Sequence, residues 1–162
     1  MLGKENRMRI IVFSDSHGRL HNCIYTLEQI GHVDHMIHLG DMQKDASDLG
    51  IVFPDVPITF VCGNGEIGAK EDYEKTITLG GKRLFLCHGH RFHVKNGLSV
   101  LAAQAPEADL VLFGHTHEPF DGFVDGVHLF NPGSISLPAT GAPSCGIIDI
   151  DNGNLSVSHW TK

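Results

Sequence analysis

Short apolar segments alternate with polar and glycine-rich segments along the first part of the chain. Residues 8–14, 36–39 and 58–62 are apolar stretches of strand length, and each runs into polar residues. Between the first two, residues 20–30 carry apolar side chains at helical spacing until Gly31 interrupts the pattern. This arrangement predicts strands that alternate with helices.

The last third of the chain carries the signals of β-hairpins instead. Asp125-Gly126 separates one pair of apolar segments and Asn152-Gly153 separates another, and both dipeptides favour two-residue turns. Gly80-Gly81 gives a similar signal earlier, between residues 75–79 and 83–87. These segments predict antiparallel pairs of strands.

The fold prediction combines the two patterns. A further helix is predicted over residues 98–105, before Pro106, and a further strand over residues 109–113. Together they predict one α/β domain over residues 8–162, with two packed mixed β-sheets flanked by helices, an α-β-β-α sandwich. Residues 1–7 are expected to form a disordered leader.

Composition narrows the functional classes. The chain has 162 residues, and no apolar run approaches the roughly 18 residues of a membrane span, so no membrane association is expected. The formal net charge of −7 disfavours binding to long nucleic acid, which requires a basic face. No export signal precedes the cysteines, and none of them forms a CxxC pair. A cytoplasmic protein is therefore expected, with reduced, buried thiols at Cys23, Cys62, Cys87 and Cys145.

Five of the predicted strands run directly into clusters of chemically active residues. The clusters are Asp15-Ser16-His17-Gly18, Gly40-Asp41, Gly63-Asn64-Gly65-Glu66, His88-Gly89-His90 and Gly114-His115-Thr116-His117. In open α/β sheets, ligands bind outside the carboxyl ends of the strands. We therefore expect the five clusters to converge on one site.

The side chains in these clusters suit metal chemistry. Seven of them are nitrogen or oxygen donors: Asp15, His17, Asp41, Asn64, His88, His115 and His117. Seven donors are too many for one zinc ion and suit two ions that share a bridging carboxylate. Mixed carboxylate, amide and imidazole donors are typical of Mn²⁺, Fe²⁺, Zn²⁺ or Co²⁺ sites. Two such ions lie roughly 3.5–4 Å apart, and a water shared between them becomes a nucleophile near neutral pH.

Each motif taken alone permits a simpler role. Asp15 could cap a helix, Asn64 between two glycines could form a turn, and an H-x-H pair can be incidental. Their occurrence in one ordered series favours metal binding. The segment H-G-H-R-F-H is near the pattern of metallo-β-lactamase-like hydrolases, but Phe92 stands where that pattern needs Asp. The histidines outside the motifs are expected to be surface or satisfied core residues: His21, His32, His35, His38, His128 and His159.

The series D-S-H-G, G-D, G-N, H-G-H and G-H-T-H resembles the calcineurin-like metallophosphoesterases, and most of all their small single-domain bacterial and archaeal phosphodiesterases. The resemblance runs over residues 8–134 and includes Asn131-Pro132-Gly133-Ser134. It implies hydrolysis of a small phosphoester, with a phosphodiester favoured over a phosphomonoester, by a metal-bridging hydroxide. It also implies two divalent metal ions per chain, with Mn²⁺ favoured and Fe²⁺, Zn²⁺, Co²⁺ or Ni²⁺ as alternatives.

The resemblance implies a role for each donor. The first metal would be held by Asp15, His17 and His117; the second by Asn64, His88 and His115; and Asp41 would bridge the two. Asn131 would support the site from behind the ligands. Asp41, Asn64 and His90 are the expected catalytic residues.

One position departs from the family pattern. Many members have a histidine directly after the motif asparagine, and it protonates the leaving group, but here that position is Gly65. Either His90 substitutes as the general acid or the acid is absent. A second function also stays open, because a eukaryotic branch of the family, a retromer subunit, uses the fold as a protein-binding scaffold. Homo-oligomer formation stays open too.

Overall fold

Two five-stranded β-sheets stacked on each other form the framework of the molecule. The computed structural model describes residues 6–64 and 72–162. The strands are β1 (Arg7–Phe13), β2 (His35–His38), β3 (Ile58–Phe60), β4 (Glu74–Leu79), β5 (Lys82–Cys87), β6 (Leu110–Leu112), β7 (Pro119–Val124), β8 (Val127–Pro132), β9 (Ser144–Asp151) and β10 (Asn154–Thr161). The helices are α1 (Leu20–Ile30), α2 (Gln43–Val52) and α3 (Ser99–Gln104).

Both sheets mix parallel and antiparallel strands. The first has the order β10-β9-β1-β2-β3 and the second the order β4-β5-β6-β8-β7. Strands β1, β2 and β3 run parallel to one another, as do β5, β6 and β8. The carboxyl ends of parallel strands lie at the same edge of a sheet, so the loops that follow them are neighbours.

Alternation along the strands divides the side chains between three apolar layers. Ile10 and Val12 of β1 point into the space between the sheets, where they belong to one cluster with Leu84 of β5. Ile11 and Phe13 point the other way and pack with α1 and α2. A third cluster joins the outer face of the second sheet to α3. The predicted sandwich of two mixed sheets flanked by helices is therefore confirmed.

The hairpins and most elements follow the predicted pattern. Asp125-Gly126 and Asn152-Gly153 connect β7 to β8 and β9 to β10, and all four residues have the positive φ that such turns require. The sequence pattern missed α2 (Gln43–Val52), which buries only a few side chains. Arg7, at the end of the predicted leader, is the first residue of β1, whereas residues 1–5 lie outside the described residues.

No helix in the described part of the chain is long and apolar enough to cross a membrane.

Candidate metal centre

The loops after β1, β2 and β6 adopt an unusual backbone conformation at the predicted ligands. Five of those ligands have φ between 47° and 70°: Asp15, His17, Asp41, His115 and His117. Non-glycine residues rarely occupy this left-handed region, and such strain persists only where surrounding contacts impose it. Residues of this kind cluster at functional sites, so the backbone itself marks these loops.

Backbone hydrogen bonds tie these loops together. The Asp15 amide donates to the main-chain oxygen of Gly40 at 3.1 Å, and the His17 amide donates to that of Asp41 at 3.3 Å. The Ser134 hydroxyl donates to the main-chain oxygen of Asp15 at 2.9 Å. The loop after β1 is thereby fixed against the loop after β2.

The carboxylate of Asp15 is fully buried, and only one of its two oxygens has a hydrogen-bond partner. Its Oδ2 accepts from the Ser14 hydroxyl at 2.6 Å and from the His115 amide at 3.2 Å. Its Oδ1 has no hydrogen-bond partner and lies 3.3 Å from Nε2 of His117 and 3.8 Å from Nε2 of His88. A buried carboxylate oxygen without a donor is costly, and a bound cation would compensate for it.

Four of the predicted ligands form one compact group. Asp15, His17, Asp41 and His117 each offer a donor atom, and these atoms lie within 4.8 Å of one another. They are the three side chains predicted for the first metal together with the predicted bridging carboxylate. Carboxylate and imidazole donors gathered this closely fit a divalent transition-metal ion.

A second group adjoins the first at Asp41. Nε2 of His88 lies 3.5 Å from Oδ2 of Asp41 and 3.2 Å from Nδ1 of His115. The same Asp41 oxygen lies 3.7 Å from Nε2 of His17 in the first group. Asp41 thus stands between the two sets of histidines, where a bridging carboxylate would have to lie.

The protonation pattern of two histidines suits metal ligation. Nδ1 of His88 is 2.8 Å from the main-chain oxygen of Leu39, and Nδ1 of His117 is 2.6 Å from that of Leu137. A carbonyl oxygen can only accept, so in each ring Nδ1 carries the hydrogen. In the neutral form of each ring, Nε2 then keeps the lone pair that a metal ion would bind. Metal-ligating histidines commonly have this arrangement, in which the second nitrogen is held by a backbone carbonyl.

Opposite charges in the group alter its protonation. Burial alone would raise the pKa of Asp15, but His117, His88 and the Ser14 hydroxyl together lower it. Burial likewise opposes the charged form of His88, yet Asp41 and Asp15 together raise the pKa of this ring. The Asp15 carboxylate, 3.3 Å from Nε2 of His117, is the main reason why the pKa of His117 is raised. The carboxylates therefore favour positive charge at this position, as a cation-binding site does.

His115 differs from the other two rings. Burial lowers the pKa of His115 to about 4, and His88 and Lys95 add to this effect. The ring is therefore neutral near physiological pH, and a neutral imidazole is the form that binds metals.

The loop after β3 reaches the site through Gly63. A Cβ at Gly63 would overlap the carboxylate of Asp41, so only glycine permits this approach. Asn64 follows at an exposed turn. Nothing in the geometry tests its coordination of a metal, and it stays a predicted ligand. Gly65 and Glu66 lie outside the described residues.

His90 lies beside the second group. Its ring centroid is 5.6 Å from that of His88, 6.2 Å from that of His115 and 5.6 Å from that of Tyr73. Its Nδ1 is buried without a hydrogen-bond partner. Burial, followed by the charges of His88 and Arg91, lowers the pKa of His90. The ring thus lies at the edge of the second group.

Asn131 holds the loop that carries His115 and His117. Its amide nitrogen donates to the main-chain oxygen of Gly114 at 3.1 Å and to the Thr116 hydroxyl at 3.0 Å. Its side-chain oxygen accepts from the amide of Gly133 at 2.9 Å. This buried side chain fixes the loop that carries two predicted ligands, and its role in support of a metal site stays a prediction.

Ser16, His38 and Asp45 form a buried polar group next to the site that was not predicted from the sequence. His38 was expected to be a surface or satisfied core histidine, and its ring is fully buried and hydrogen-bonded to Ser16. Ser16 lies inside the D-S-H-G motif, which was a signal for its position but not for its partner. Nothing signalled Asp45, because α2 itself was not predicted.

Comparison with known proteins gives a consistent family. Residues 8–153 match the calcineurin-like phosphoesterase superfamily domain. The chain is 30% identical over 160 residues to a probable metallophosphoesterase, YsnB, of Bacillus subtilis, covering 96% of this chain and 92% of that protein. It is 28% identical over 163 residues to phosphodiesterase MJ0936 of Methanocaldococcus jannaschii, covering 89% and 94%. A solved structure from Streptococcus pneumoniae, described as a predicted phosphoesterase, superimposes with a TM-score of 0.78 at 28% identity, covering 96% and 90%.

A relative with a different kind of name is also similar. The chain is 30% identical over 124 residues to vacuolar protein sorting-associated protein 29 of Schizosaccharomyces pombe, covering 75% of this chain and 64% of that protein. The comparisons therefore include both proteins named for phosphoester chemistry and a protein named for sorting.

Proposed function

The chain belongs to the calcineurin-like phosphoesterase superfamily, and we propose that it is a dinuclear metal-dependent phosphodiesterase. The observation that carries this proposal is the convergence of Asp15, His17, Asp41 and His117 on one point, with a buried carboxylate oxygen left without a donor. The adjoining His88 and His115 supply two donors for a second metal-binding position. The family and the acidic–imidazole cluster support metal dependence. The number and identity of the metals belong to the proposal.

Each metal would have its own set of ligands in this proposal. One ion would be held by Asp15, His17 and His117, the other by Asn64, His88 and His115, and Asp41 would contact both. When bound, the two ions supply a deprotonated water near neutral pH and neutralise charge that builds on the phosphoryl oxygens. We favour Mn²⁺, since the donors are carboxylate, amide and imidazole; Fe²⁺, Zn²⁺, Co²⁺ and Ni²⁺ are the alternatives.

The protein contributes by preparing the ligand atoms before a metal arrives. The main-chain oxygens of Leu39 and Leu137 hold the Nδ1 hydrogens of His88 and His117, so Nε2 is the nitrogen of each ring that is available to a metal. The Ser14 hydroxyl and the His115 amide hold one oxygen of Asp15 and leave the other available. Ligands that are oriented beforehand lose less entropy on binding, which raises metal affinity.

A phosphodiester is the preferred substrate class in this proposal. Support comes from the archaeal relative named a phosphodiesterase, which covers most of this chain. The chain carries a net charge of −7, which disfavours a long polyanionic substrate and is compatible with a small one whose charge meets bound cations.

The proton for the leaving group is the open step of the reaction. Gly65 has no side chain and cannot donate a proton. We propose that the reaction proceeds without a general acid, and His90 is the alternative donor among the described residues, because its ring adjoins His88 and His115 and its Nδ1 has no hydrogen-bond partner. A positioned general acid contributes about 10²–10⁴-fold to a rate, so its presence is measurable.

A non-catalytic scaffold is the second candidate function. The similarity to vacuolar protein sorting-associated protein 29 favours it. The intact set of aspartate and histidine donors argues for the enzyme, because a scaffold has no need of a buried carboxylate without a donor. All four cysteines are buried thiols, which is compatible with the cytoplasmic location that we propose for the reaction.

The two functions are separated by a hydrolysis assay. Protein loaded with Mn²⁺ should hydrolyse bis(p-nitrophenyl) phosphate faster than p-nitrophenyl phosphate, and EDTA should abolish both activities. Asp41→Asn should lower the rate of diester hydrolysis at least about 100-fold. Asp48→Asn is the matched control, because Asp48 pairs with Lys44 on the outside of α2 and should retain full activity. Metal-loaded protein that hydrolyses neither ester would contradict the enzyme and favour the scaffold.

A further inference from the structure

Three polar side chains form a buried chain of hydrogen bonds next to the metal centre. Ser16 and His38 have no solvent exposure, and Asp45 is 3% exposed. Ser16 belongs to the loop after β1, His38 is the last residue of β2, and Asp45 lies in the first turn of α2. The three side chains therefore join three separate elements, and we call them the Ser16–His38–Asp45 relay.

The direction of each hydrogen bond in the relay follows from its ends. Nδ1 of His38 accepts from the Gly40 amide at 3.1 Å, so the hydrogen of this neutral ring lies on Nε2. That nitrogen is 2.8 Å from the Ser16 hydroxyl oxygen and donates to it. The Ser16 hydroxyl in turn donates to Oδ2 of Asp45 at 2.6 Å. Every hydrogen bond in the relay thus has a defined direction.

The relay is hydrogen-bonded to two loops that carry predicted ligands, the loop of His17 and the loop of Asp41. Oδ2 of Asp45 also accepts from the Gly18 amide at 2.9 Å, so Asp45 holds the residues directly before and after His17. His38 holds the Gly40 amide, directly before Asp41. The relay therefore links the residues on either side of His17 to the residue before Asp41, and Nε2 of His17 lies 3.7 Å from Oδ2 of Asp41.

The burial of three polar side chains in the relay has a free-energy cost. Burial of a carboxylate, an imidazole and a hydroxyl is unfavourable, and apolar residues of similar size would often stabilise the fold as well or better. Asp45 is compensated by two donors and by the N-terminal end of the α2 dipole. Directional hydrogen bonds offer what apolar packing does not, a single fixed geometry of the loops.

We infer that Ser16, His38 and Asp45 are positioning residues that set metal affinity, although none of them is a predicted ligand. The inference rests on the proposed function, since it assigns the relay to the metal site of that enzyme. Residues behind metal ligands typically alter affinity by about 10–100-fold when they are changed. The same size of effect is expected here.

The test compares two substitutions of the same type in one helix. Asp45→Asn removes the charge of the relay at nearly constant shape, and Asp48→Asn removes a charge at the surface of α2. Titration calorimetry with Mn²⁺ should show a dissociation constant about 10–100-fold higher for Asp45→Asn and an unchanged one for Asp48→Asn. Both proteins are measured at a temperature where circular dichroism shows the metal-free form folded.

A second variant keeps the test decisive if Asp45→Asn does not fold. Ser16→Ala removes the central hydroxyl and should weaken Mn²⁺ binding to a similar extent. Where both single variants fold, the double variant Asp45→Asn/Ser16→Ala should bind Mn²⁺ no more weakly than the single variant with the lower affinity, if the three residues act as one unit. Additive losses in the double variant would contradict a relay.

The outcomes distinguish failure of the relay from failure of the proposed function. Wild-type protein that binds no Mn²⁺ would overturn the proposed function, and the relay with it. Wild-type protein that binds Mn²⁺, together with unchanged affinity in both Asp45→Asn and Ser16→Ala, would overturn the relay alone. Weaker binding in Asp48→Asn to the same degree would also overturn it, because the effect would then belong to the charge of the helix.

Discussion

Asp41 is the residue on which the two halves of the site meet. One of its oxygens lies 3.7 Å from His17 and 3.5 Å from His88, and its backbone has a φ of 57°. His17 belongs to the first group only. A substitution at Asp41 should therefore affect both metals, whereas one at His17 should affect mainly one.

We expect Asp41→Asn to lower the rate of diester hydrolysis at least about 100-fold, because a neutral amide holds a pair of cations poorly. His17→Ala should weaken one of two Mn²⁺ binding steps and leave the other nearly unchanged. Calorimetry and steady-state kinetics on the two variants check both statements. Near-normal turnover of Asp41→Asn at full metal occupancy would remove Asp41 from the mechanism.

His38 predicts a pH effect on the stability of the metal-free protein. Burial lowers the pKa of His38 to about 4, and the nearby charges of Asp45, Asp15 and Asp41 oppose this only in part. The unfolded chain binds a proton to this ring below its ordinary pKa of 6.5, whereas the folded protein does not until much lower pH. The stabilisation of the folded protein by the neutral His38 ring is fully present above the pKa of the unfolded chain, and it is lost as the pH falls towards the pKa of the folded protein.

This loss is measurable by urea unfolding of EDTA-treated protein. Between about pH 7 and about pH 5 the free energy of unfolding should fall by about 2 kcal/mol more in the wild type than in His38→Gln. His88 and His117 titrate in both proteins, so the comparison isolates His38. An equal pH dependence in the two proteins would show that His38 takes up its proton in the folded state.

Gly65 predicts a dependence on the leaving group. Without a general acid at that position, aryl esters, whose phenolates leave readily, should be hydrolysed far better than alkyl esters. A plot of log kcat/KM against leaving-group pKa should be steeply negative, and Gly65→His should flatten it.

The opposite result identifies the donor. A flat plot for the wild type would contradict the absence of a general acid, and His90→Ala should then steepen it. Equal losses on aryl and alkyl esters in His90→Ala would assign His90 to phosphate binding instead.

At the scale of elements, the loops after the strands depend on close backbone approaches. Gly63 lies against Asp41, and a Cβ there would overlap the Asp41 carboxylate. Gly63→Ala should therefore displace Asp41 and lower both Mn²⁺ affinity and activity at least about 10-fold.

Gly50→Ala is the matched control for this substitution. Gly50 lies in α2, and its Cβ would meet the nearest atom, on Ile58, at an ordinary 3.6 Å. This variant should keep full metal binding and gain roughly 0.5–1 kcal/mol of stability from helix propensity. Unchanged Mn²⁺ binding in Gly63→Ala would show that the β3 loop does not shape the site.

The elements differ in how far the sequence could predict them. The bounds of α1 (Leu20–Ile30) were predicted because its apolar residues recur at helical spacing and Gly31 ends it. α2 (Gln43–Val52) was missed because its only buried residues are Asp45, Ala46 and Leu49, too few to produce a helical stripe. Its position is determined by packing and by the Asp45 hydrogen bonds, which sequence periodicity does not reveal.

At the scale of the whole molecule, two sheets bring together clusters from distant parts of the sequence. The order of the clusters and the rule that sites lie at the carboxyl ends of strands were sufficient to predict their convergence. The sequence could not predict the distances between side chains or which nitrogen of each histidine faces the site. Those depend on tertiary contacts such as His88 with Leu39 and His117 with Leu137.

The number of divalent ions per chain tests the central claim most directly. Metal-free protein is loaded with Mn²⁺, separated from unbound metal and assayed for metal and protein in the same sample. Asp41 between two groups of donors predicts a value that saturates at two ions per chain, and at one or fewer in Asp41→Asn. A wild-type value that saturates at one would contradict the dinuclear centre.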